Sequence, residues 1–294
     1  MSFKSLIAPV SARPKSQFFV PAGGHGLLRD QFSIPTWLAL GGIMQGLLFL
    51  VAGRLALVPV VLLLGYSAAD TYLMTIGWKK NIYMEDVLQK KYSAQIPDAA
   101  GNFSDKPADS QVVVFMLGVR NNHPLGLLAP GMKELGVFFP SMAKNLEEHA
   151  DEFGYLGMTA WQATGQRTTQ NEIMNVAYFR DYDGLHKFAH SQYHREAWAW
   201  FNKESKRIGH ISIWHETYAV PKGNWESIYI NSKINNLAST TYKITDQSTG
   251  EDLWASPVVD ASRGLLKTSK GRMSRSNATE NDAYEKNEVF DVDY

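Results

Sequence analysis

Histidines and large aromatic side chains are concentrated in one stretch of the chain. Five of its eight histidines lie there among tryptophans and tyrosines: His186, His190, His194, His210 and His215. An imidazole exchanges a proton or binds a metal near neutral pH, and burying one among aromatic rings is unfavourable unless it is hydrogen-bonded. We therefore expect any catalytic site to involve this stretch.

The first three of these histidines are spaced four residues apart. On a continuous helix they would share one face, drifting by about 40° per step, and such spacing suits metal ligation. No neighbouring acidic residue completes a recognisable zinc or iron pattern. We therefore expect no metal site, and a partly solvated helix face is the alternative reading of this spacing.

The segment HISIWHETY has the alternation of a strand. Alternation places Ile211 and His215 on one face, and Trp214 and Glu216 on the other. The isoleucine face is the apolar one, so His215 should point into the space between sheet and helices. We expect it to meet His194 there, in a water-poor hollow covered by indole rings.

The elements that must position these residues follow from hydrophobic periodicity. Period-two apolar patterns predict strands, and apolar residues at helical spacing predict helices. The expected strands are 111–120, 155–163, 172–180 and 210–220, with a further strand at 225–231 and helical regions at 132–153 and 181–208. The order β-α-β-β-α-β is the ferredoxin-like arrangement of an α+β fold. By analogy among such folds, we expect two copies to pack as a dimeric α+β barrel.

Two apolar runs precede this domain, at 34–51 and 55–78. Each approaches the 20 or so residues that a helix needs to cross a bilayer. Gly53 and Arg54 form a short connection, so we predict a transmembrane helical hairpin. Asp70 is interpreted as a polar residue at the end of the second span, with a functional intramembrane carboxylate as the alternative.

Positive charge predicts the orientation of this hairpin. Lysines and arginines flank both of its ends, whereas its loop carries only Arg54, so both termini and the large domain should face the cytosol. We expect an integral protein of the endoplasmic reticulum membrane, whose sequons at Asn102 and Asn277 carry no glycan.

The predicted divisions of the chain are a cytosolic segment (1–32), the hairpin (33–78), a linker (79–110), the catalytic domain (111–235) and a largely disordered tail (236–294). Within the linker region, residues 81–95 are expected to form an amphipathic helix on the membrane surface.

Composition excludes several classes of function. The chain has 29 basic and 29 acidic residues, so no net charge favours nucleic acid as a partner. It contains no cysteine, which excludes disulfides, thiolate nucleophiles and zinc–thiolate sites.

The region from Val113 to Asn231 resembles a fungal family of monooxygenase-like proteins from terpenoid and polyketide gene clusters. The segments YFRDYDGLHKFAHSQYHREAWAWF and HISIWHETYAVPKGNWESIYIN carry the resemblance. It implies a dimeric α+β barrel and the oxidation of a small molecule, but no established catalytic residue. More distantly, AHSQYH and WHET resemble motifs of haem-containing aldoxime dehydratases. This second resemblance implies His194 as an axial haem ligand and His215 as a distal acid or base, although the proline of that family's motif is missing.

Three functions are compatible with these features. The first is a membrane-anchored monooxygenase acting on a lipophilic terpenoid or polyketide intermediate, with either haem b or no cofactor, where the substrate itself activates oxygen. The second is a cofactor-free cyclase or isomerase, and the third is a non-catalytic membrane partner of another biosynthetic enzyme. For catalysis we expect His215 as general acid or base, assisted by His194 or Glu216. The expected pocket residues are Phe115, Trp161, Tyr178, Trp198, Trp214 and Arg195.

Overall fold

A computed structural model describes residues 3–19, 22–165 and 167–276. Its helices are α1 (Ala22–Arg29), α2 (Ile34–Ala52), α3 (Leu57–Thr75), α4 (Met132–Glu148), α5 (Ala150–Phe153), α6 (Tyr182–Ala189), α7 (Gln192–Glu204) and α8 (Ser269–Arg272). Its strands are β1 (Val87–Ala94), β2 (Val112–Asn121), β3 (Tyr155–Gln162), β4 (Ile173–Phe179), β5 (Ile211–Val220), β6 (Tyr229–Lys233), β7 (Tyr242–Thr245), β8 (Asp252–Ala255) and β9 (Val258–Asp260). Short 3-10 turns connect several of them, including 53–56 and 236–239.

The central sheet has four antiparallel strands in the order β3-β4-β2-β5. With α4 between β2 and β3, and α6 and α7 between β4 and β5, this is the predicted β-α-β-β-α-β order, so the ferredoxin-like expectation is confirmed for one chain. The strands form where β-branched and aromatic residues alternate. Val113 and Phe179 are fully buried on the face that packs against α4, α5 and α6.

The histidine-rich region is two helices rather than one. Ser191 separates α6 from α7, because its side chain accepts a hydrogen bond from the His194 N–H and so caps α7. His186 lies on α6, His190 ends that helix and His194 lies in the first turn of α7. The three imidazoles therefore do not form the row expected on a continuous helix.

A second layer covers much of the other face of the central sheet. It contains a three-stranded sheet in the order β6-β1-β9, together with the β7-β8 hairpin and the turn at 236–239. Tyr92, Leu237 and Val258 are buried in the core between the two layers. In a dimeric barrel a second copy would cover this face of the sheet, but here part of the cover comes from the same chain. A dimeric barrel stays a prediction.

Two predicted segments are corrected by this layer. The segment 81–95 is not a surface helix, since residues 87–94 form the central strand of the second sheet. The tail is folded over residues 236–276, because its scattered apolar side chains, including Val259 and Leu266, pack together in one buried cluster. The predicted strand at 225–231 starts later, as β6, and pairs with β1. Residues 277–294, with the Asn277 sequon, lie outside the described residues.

Helices α2 and α3 carry the apolar runs. Together with the turn between them, they form the one region of the described chain that is long and apolar enough to cross a membrane, Ile34–Thr75, and almost none of it is buried by the rest of the protein. Gly53 interrupts the helix with a φ of 56°, and the Gln45 amide donates to the Ala56 carbonyl at 2.9 Å. Asp70 forms an ion pair with Lys79, which accords with a polar group at the end of a span.

Candidate functional site

The strand register places three side chains in one row on the helix-facing surface of the central sheet. Leu117 of β2 pairs with His215 of β5 on one side and with Asn175 of β4 on the other. Directly paired residues share a face of the sheet. Because β2 lies between β4 and β5, the Cα atoms of His215 and Asn175 are about two strand spacings, or roughly 10 Å, apart.

His194 reaches the same side of the sheet from α7. Its ring centroid lies 5.8 Å from that of Phe188, and the side chain is half-buried. Burial lowers the pKa of His194 below its ordinary value of 6.5, and a hydrogen bond with the Ala189 backbone opposes this effect. Charge on His215 lowers the pKa further, as does charge on His190. Both imidazoles therefore belong to side chains on the helix-facing side of the central sheet.

His215 is more open to solvent than the sequence predicted. Its ring packs beside Phe115, with 5.5 Å between centroids, but the residue is exposed. The expected indole cover is not formed by the described chain: Trp198 is 53% exposed and stacks on Phe201. The physical reason is that β5 is an edge strand, with no neighbouring strand on its outer side in the described chain. The expectation of a water-poor hollow is therefore wrong for His215 in a single chain.

Asn175 is a site candidate that the sequence reasoning missed. It is 2% exposed, and its side-chain oxygen has no hydrogen-bond partner among the described residues. Buried polar atoms are nearly always hydrogen-bonded, so this acceptor is suited to a donor on a bound molecule. A signal was present in the sequence, because asparagine is rare inside strands and Asn175 sits in the middle of EIMNVAYFR.

Four of the expected site residues lie on the opposite face of the sheet. The Glu216 carboxylate accepts a hydrogen bond from the Tyr218 hydroxyl at 2.5 Å and does not share the His215 face. The Trp214 indole lies over Gly118, where an added Cβ would come within 2.1 Å of the ring. Trp161 is 44% exposed, and Tyr178 is buried against the second layer.

Tyr178 belongs to a cavity of about 360 Å³ between the central sheet and the second layer. Burial raises the pKa of Tyr178 to about 12. The described chain therefore has two separate locations for chemistry, one on each face of the central sheet. Sequence reasoning had merged them into a single pocket.

The remaining expected pocket residue, Arg195, lies on α7 and is exposed. Within residues 3–19, 22–165 and 167–276, no group of three or more His, Cys, Asp or Glu side chains is arranged to hold a metal ion. On the helix-facing surface, the imidazoles of His194 and His215 can transfer protons, and the buried amide of Asn175 can form hydrogen bonds.

Comparison with known proteins identifies the family. Residues 112–237 match the family described as monooxygenase af470-like. The chain is 33% identical over 282 residues to monooxygenase af470 of Aspergillus fumigatus, covering 93% of this chain and 98% of that protein. The chain belongs to the monooxygenase af470-like family.

Solved structures resemble parts of the chain at low identity. SnoaB from Streptomyces nogalater, described as a cofactor-independent oxygenase, is 14% identical with a TM-score of 0.25, covering 36% of this chain and 90% of that one. An aldoxime dehydratase in complex with butyraldoxime is 11% identical with a TM-score of 0.35, covering 50% of this chain and 42% of that one.

Proposed function

We propose that this protein is a membrane-anchored oxygenase that oxidises a lipophilic terpenoid or polyketide intermediate of fungal secondary metabolism. Membership of the monooxygenase af470-like family supports an oxygenase role. The observation that carries the site is the placement of His194, His215 and the unpartnered Asn175 oxygen on the same, helix-facing side of the central sheet.

The two imidazoles would act as proton carriers. The lowered pKa of His194 keeps this imidazole neutral at pH 7, which is the form that accepts a proton. His215 stands at the open side of the site, where substrate arrives, and is the proposed general acid or base. The Asn175 oxygen would accept a hydrogen bond from a substrate hydroxyl.

The proposed reaction needs no external reductant. His215, or His194 beside it, removes a proton from an acidified C–H group, and the resulting carbanion gives its electrons to O₂. A CH₂ group and O₂ then become a carbonyl group and water. In the haem alternative His194 would bind the haem iron, which would supply the oxygen chemistry. That alternative predicts a Soret band in purified protein, and this proposal does not.

The apolar helices support the anchor. Each of α2 and α3 has 19 residues, which corresponds to about 28 Å of helix against a hydrocarbon core of about 30 Å. We propose that they form a hairpin in the endoplasmic reticulum membrane with both ends cytosolic. An anchored enzyme meets an apolar substrate in the phase where that substrate accumulates.

A homodimer is part of the proposal. Strand β5 is an edge of the central sheet over its 10 residues, and it exposes Ile213 (36%) and Tyr218 (50%). Long exposed edge strands tend to pair or to be covered. A second chain at this edge would also reduce the exposure of His215.

The test uses a strain that lacks its own copy of the protein. The unaltered chain should restore a metabolite carrying oxygen from isotopically labelled O₂, detected by mass spectrometry. His215→Ala and His194→Ala should each reduce this metabolite by about 10²-fold or more. His186→Ala is the matched control, because His186 is an exposed imidazole on α6 whose ring lies beside those of Tyr182 and His190.

Other outcomes contradict the proposal in distinguishable ways. A restored product without the label would favour the cyclase or isomerase. Full product from the His215→Ala and His194→Ala variants would favour a non-catalytic partner.

A further inference from the structure

The cavity between the two layers is separated from the histidines by the central sheet. Its walls come from β2, β4 and β5 on one side, and from the segment leading into β6 and the turn at 236–239 on the other. Its volume of about 360 Å³ falls in the lower part of the range of about 300–1,000 Å³ for small-molecule sites. The apolar lining is Val112, Val114, Val220, Trp225, Ile228 and Leu237.

Two phenols line this cavity, those of Tyr178 and Tyr229, and both pack with the turn at 236–239. The Tyr229 oxygen accepts a hydrogen bond from the Ala238 N–H at 3.3 Å. No hydrogen bond in the described part of the chain uses either phenol as donor, so both O–H groups are left to donate to another molecule.

The phenols are held in place and stay protonated. The Tyr229 ring stacks on Tyr92 with 4.9 Å between centroids, and Tyr178 is 9% exposed. Burial raises the pKa of Tyr178 to about 12 and raises that of Tyr229 as well. Both side chains line the same cavity. They are therefore a pair of neutral donors at any physiological pH.

The other polar residues of the lining are already engaged. The Glu226 carboxylate pairs with Arg272, and the Ser227 hydroxyl accepts from the Ala94 N–H at 2.8 Å. The Asn236 oxygen accepts from the Trp161 indole at 3.3 Å. The O–H groups of both phenols are thus free to donate, and two donors match the two lone pairs of a carbonyl oxygen.

We propose that this cavity binds an apolar ketone or enone, whose carbonyl oxygen accepts hydrogen bonds from Tyr178 and Tyr229. This site and the histidines lie on opposite faces of the central sheet. The proposal for the cavity therefore does not depend on whether the histidines are catalytic. Its ligand is recognised by a carbonyl oxygen against apolar walls.

The experiment compares β-ionone with the hydrocarbon that lacks its carbonyl oxygen. Both are equilibrated with the full chain in lipid nanodiscs, and empty nanodiscs give the blank for partitioning into lipid. β-Ionone should bind more tightly than the hydrocarbon. Tyr178→Phe and Tyr229→Phe should each weaken β-ionone binding about fivefold, and together about 25-fold, as expected for losing one or two neutral hydrogen bonds. Binding of the hydrocarbon should not change.

A spectroscopic readout identifies the hydrogen bonds directly. The C=O stretching band of bound β-ionone should shift to lower frequency, and the double Phe variant should lose this shift. Tyr218→Phe is the matched control, because Tyr218 is an exposed phenol that does not line the cavity, and it should leave both readouts unchanged. Val114→Phe narrows the cavity while keeping both phenols, and it should weaken the binding of both probes.

Several results would overturn the proposal. Equal affinity for β-ionone and the hydrocarbon would remove the role of the carbonyl. Phe variants that fold, judged by an unchanged melting temperature, yet bind β-ionone as the unaltered chain does would remove the role of the phenols. Absence of binding above the blank would show that the cavity is not a site for this class of molecule.

Discussion

Replacing Leu266 with alanine tests whether residues 236–276 are an integral part of the fold. Leu266 is 1% exposed and packs with Phe103, Val259 and Ala261. If this segment were a loose tail, the truncation would have little effect. Because the side chain is fully buried, the Leu266→Ala substitution should instead destabilise the protein substantially.

The magnitude follows from the buried side chain. Leucine to alanine removes three carbons, worth about 2.4 kcal/mol at about 0.8 kcal/mol each. The cavity left behind adds to this loss, and fully buried leucines typically cost about 3–5 kcal/mol. We expect about 3 kcal/mol, which corresponds to a fall in Tm of about 6–12 °C for a domain of this size.

Thermal unfolding of the detergent-solubilised protein, followed by tryptophan fluorescence, measures this effect. Leu128→Ala is the control, because Leu128 is 78% exposed and its truncation should change stability by less than about 0.5 kcal/mol. Equal melting temperatures for the two variants would refute the placement of Leu266 in a buried cluster.

Three further predictions concern catalysis, packing and topology. Activity should fall as the pH drops through the pKa of His194, because the protonated imidazole cannot accept a proton. Since that pKa is lowered, the midpoint of the acid limb in a pH–rate profile should lie below 6.5. A midpoint above 6.5 would exclude His194 as the base. Gly118→Ala should destabilise the protein by about 1–3 kcal/mol in thermal melts, because the new methyl group would overlap the Trp214 indole. Gly136 lies on a helix, and a Cβ added there would have no atom within 4 Å. Gly136→Ala should therefore be neutral or stabilise the protein by up to about 1 kcal/mol. A Gly118→Ala variant more stable than the Gly136→Ala variant would contradict the packing around Trp214. Asn102 should carry no glycan when the protein is expressed in a eukaryotic cell, since a cytosolic domain is not glycosylated; a shift in gel mobility after glycosidase treatment would contradict the proposed topology.

The central sheet was predictable because its strands carry strong local signals. Alternating or continuous runs of β-branched and aromatic residues identify β2, β3, β4 and β5, and a glycine-containing polar turn separates β3 from β4. The face occupied by His215 also followed from alternation alone. The break between α6 and α7 was missed because Ser191 could equally sit inside a helix, and only its capping hydrogen bond decides.

The second layer was not predictable from local pattern. Strand β1 contains Gln89, Lys90 and Lys91, which resemble a solvated linker, and β7, β8 and β9 have only three or four residues each. Such segments become strands because distant partners bury their few apolar residues, and tertiary context of this kind overrides weak local preference.

The sites depended on the same long-range information. Tyr178 and Tyr229 line one cavity because the second layer folds back over the central sheet, and no spacing in the sequence indicates that arrangement. Exposure of His215 depends on its strand being at the edge of the sheet, which alternation does not reveal. The residues expected to form one pocket therefore lie on both faces of the sheet.

The central claim is that His194 and His215 share one site. NMR titration of the two imidazoles, in protein labelled with carbon-13 at histidine, tests it most directly. The pKa of His194 should lie below 6.5, because of burial and the nearby charge of His215. Replacing His215 with asparagine removes that charge, so the pKa of His194 should rise, whereas His186→Asn should leave it unchanged. A His194 pKa that does not respond to His215→Asn would mean that the two imidazoles do not share one site.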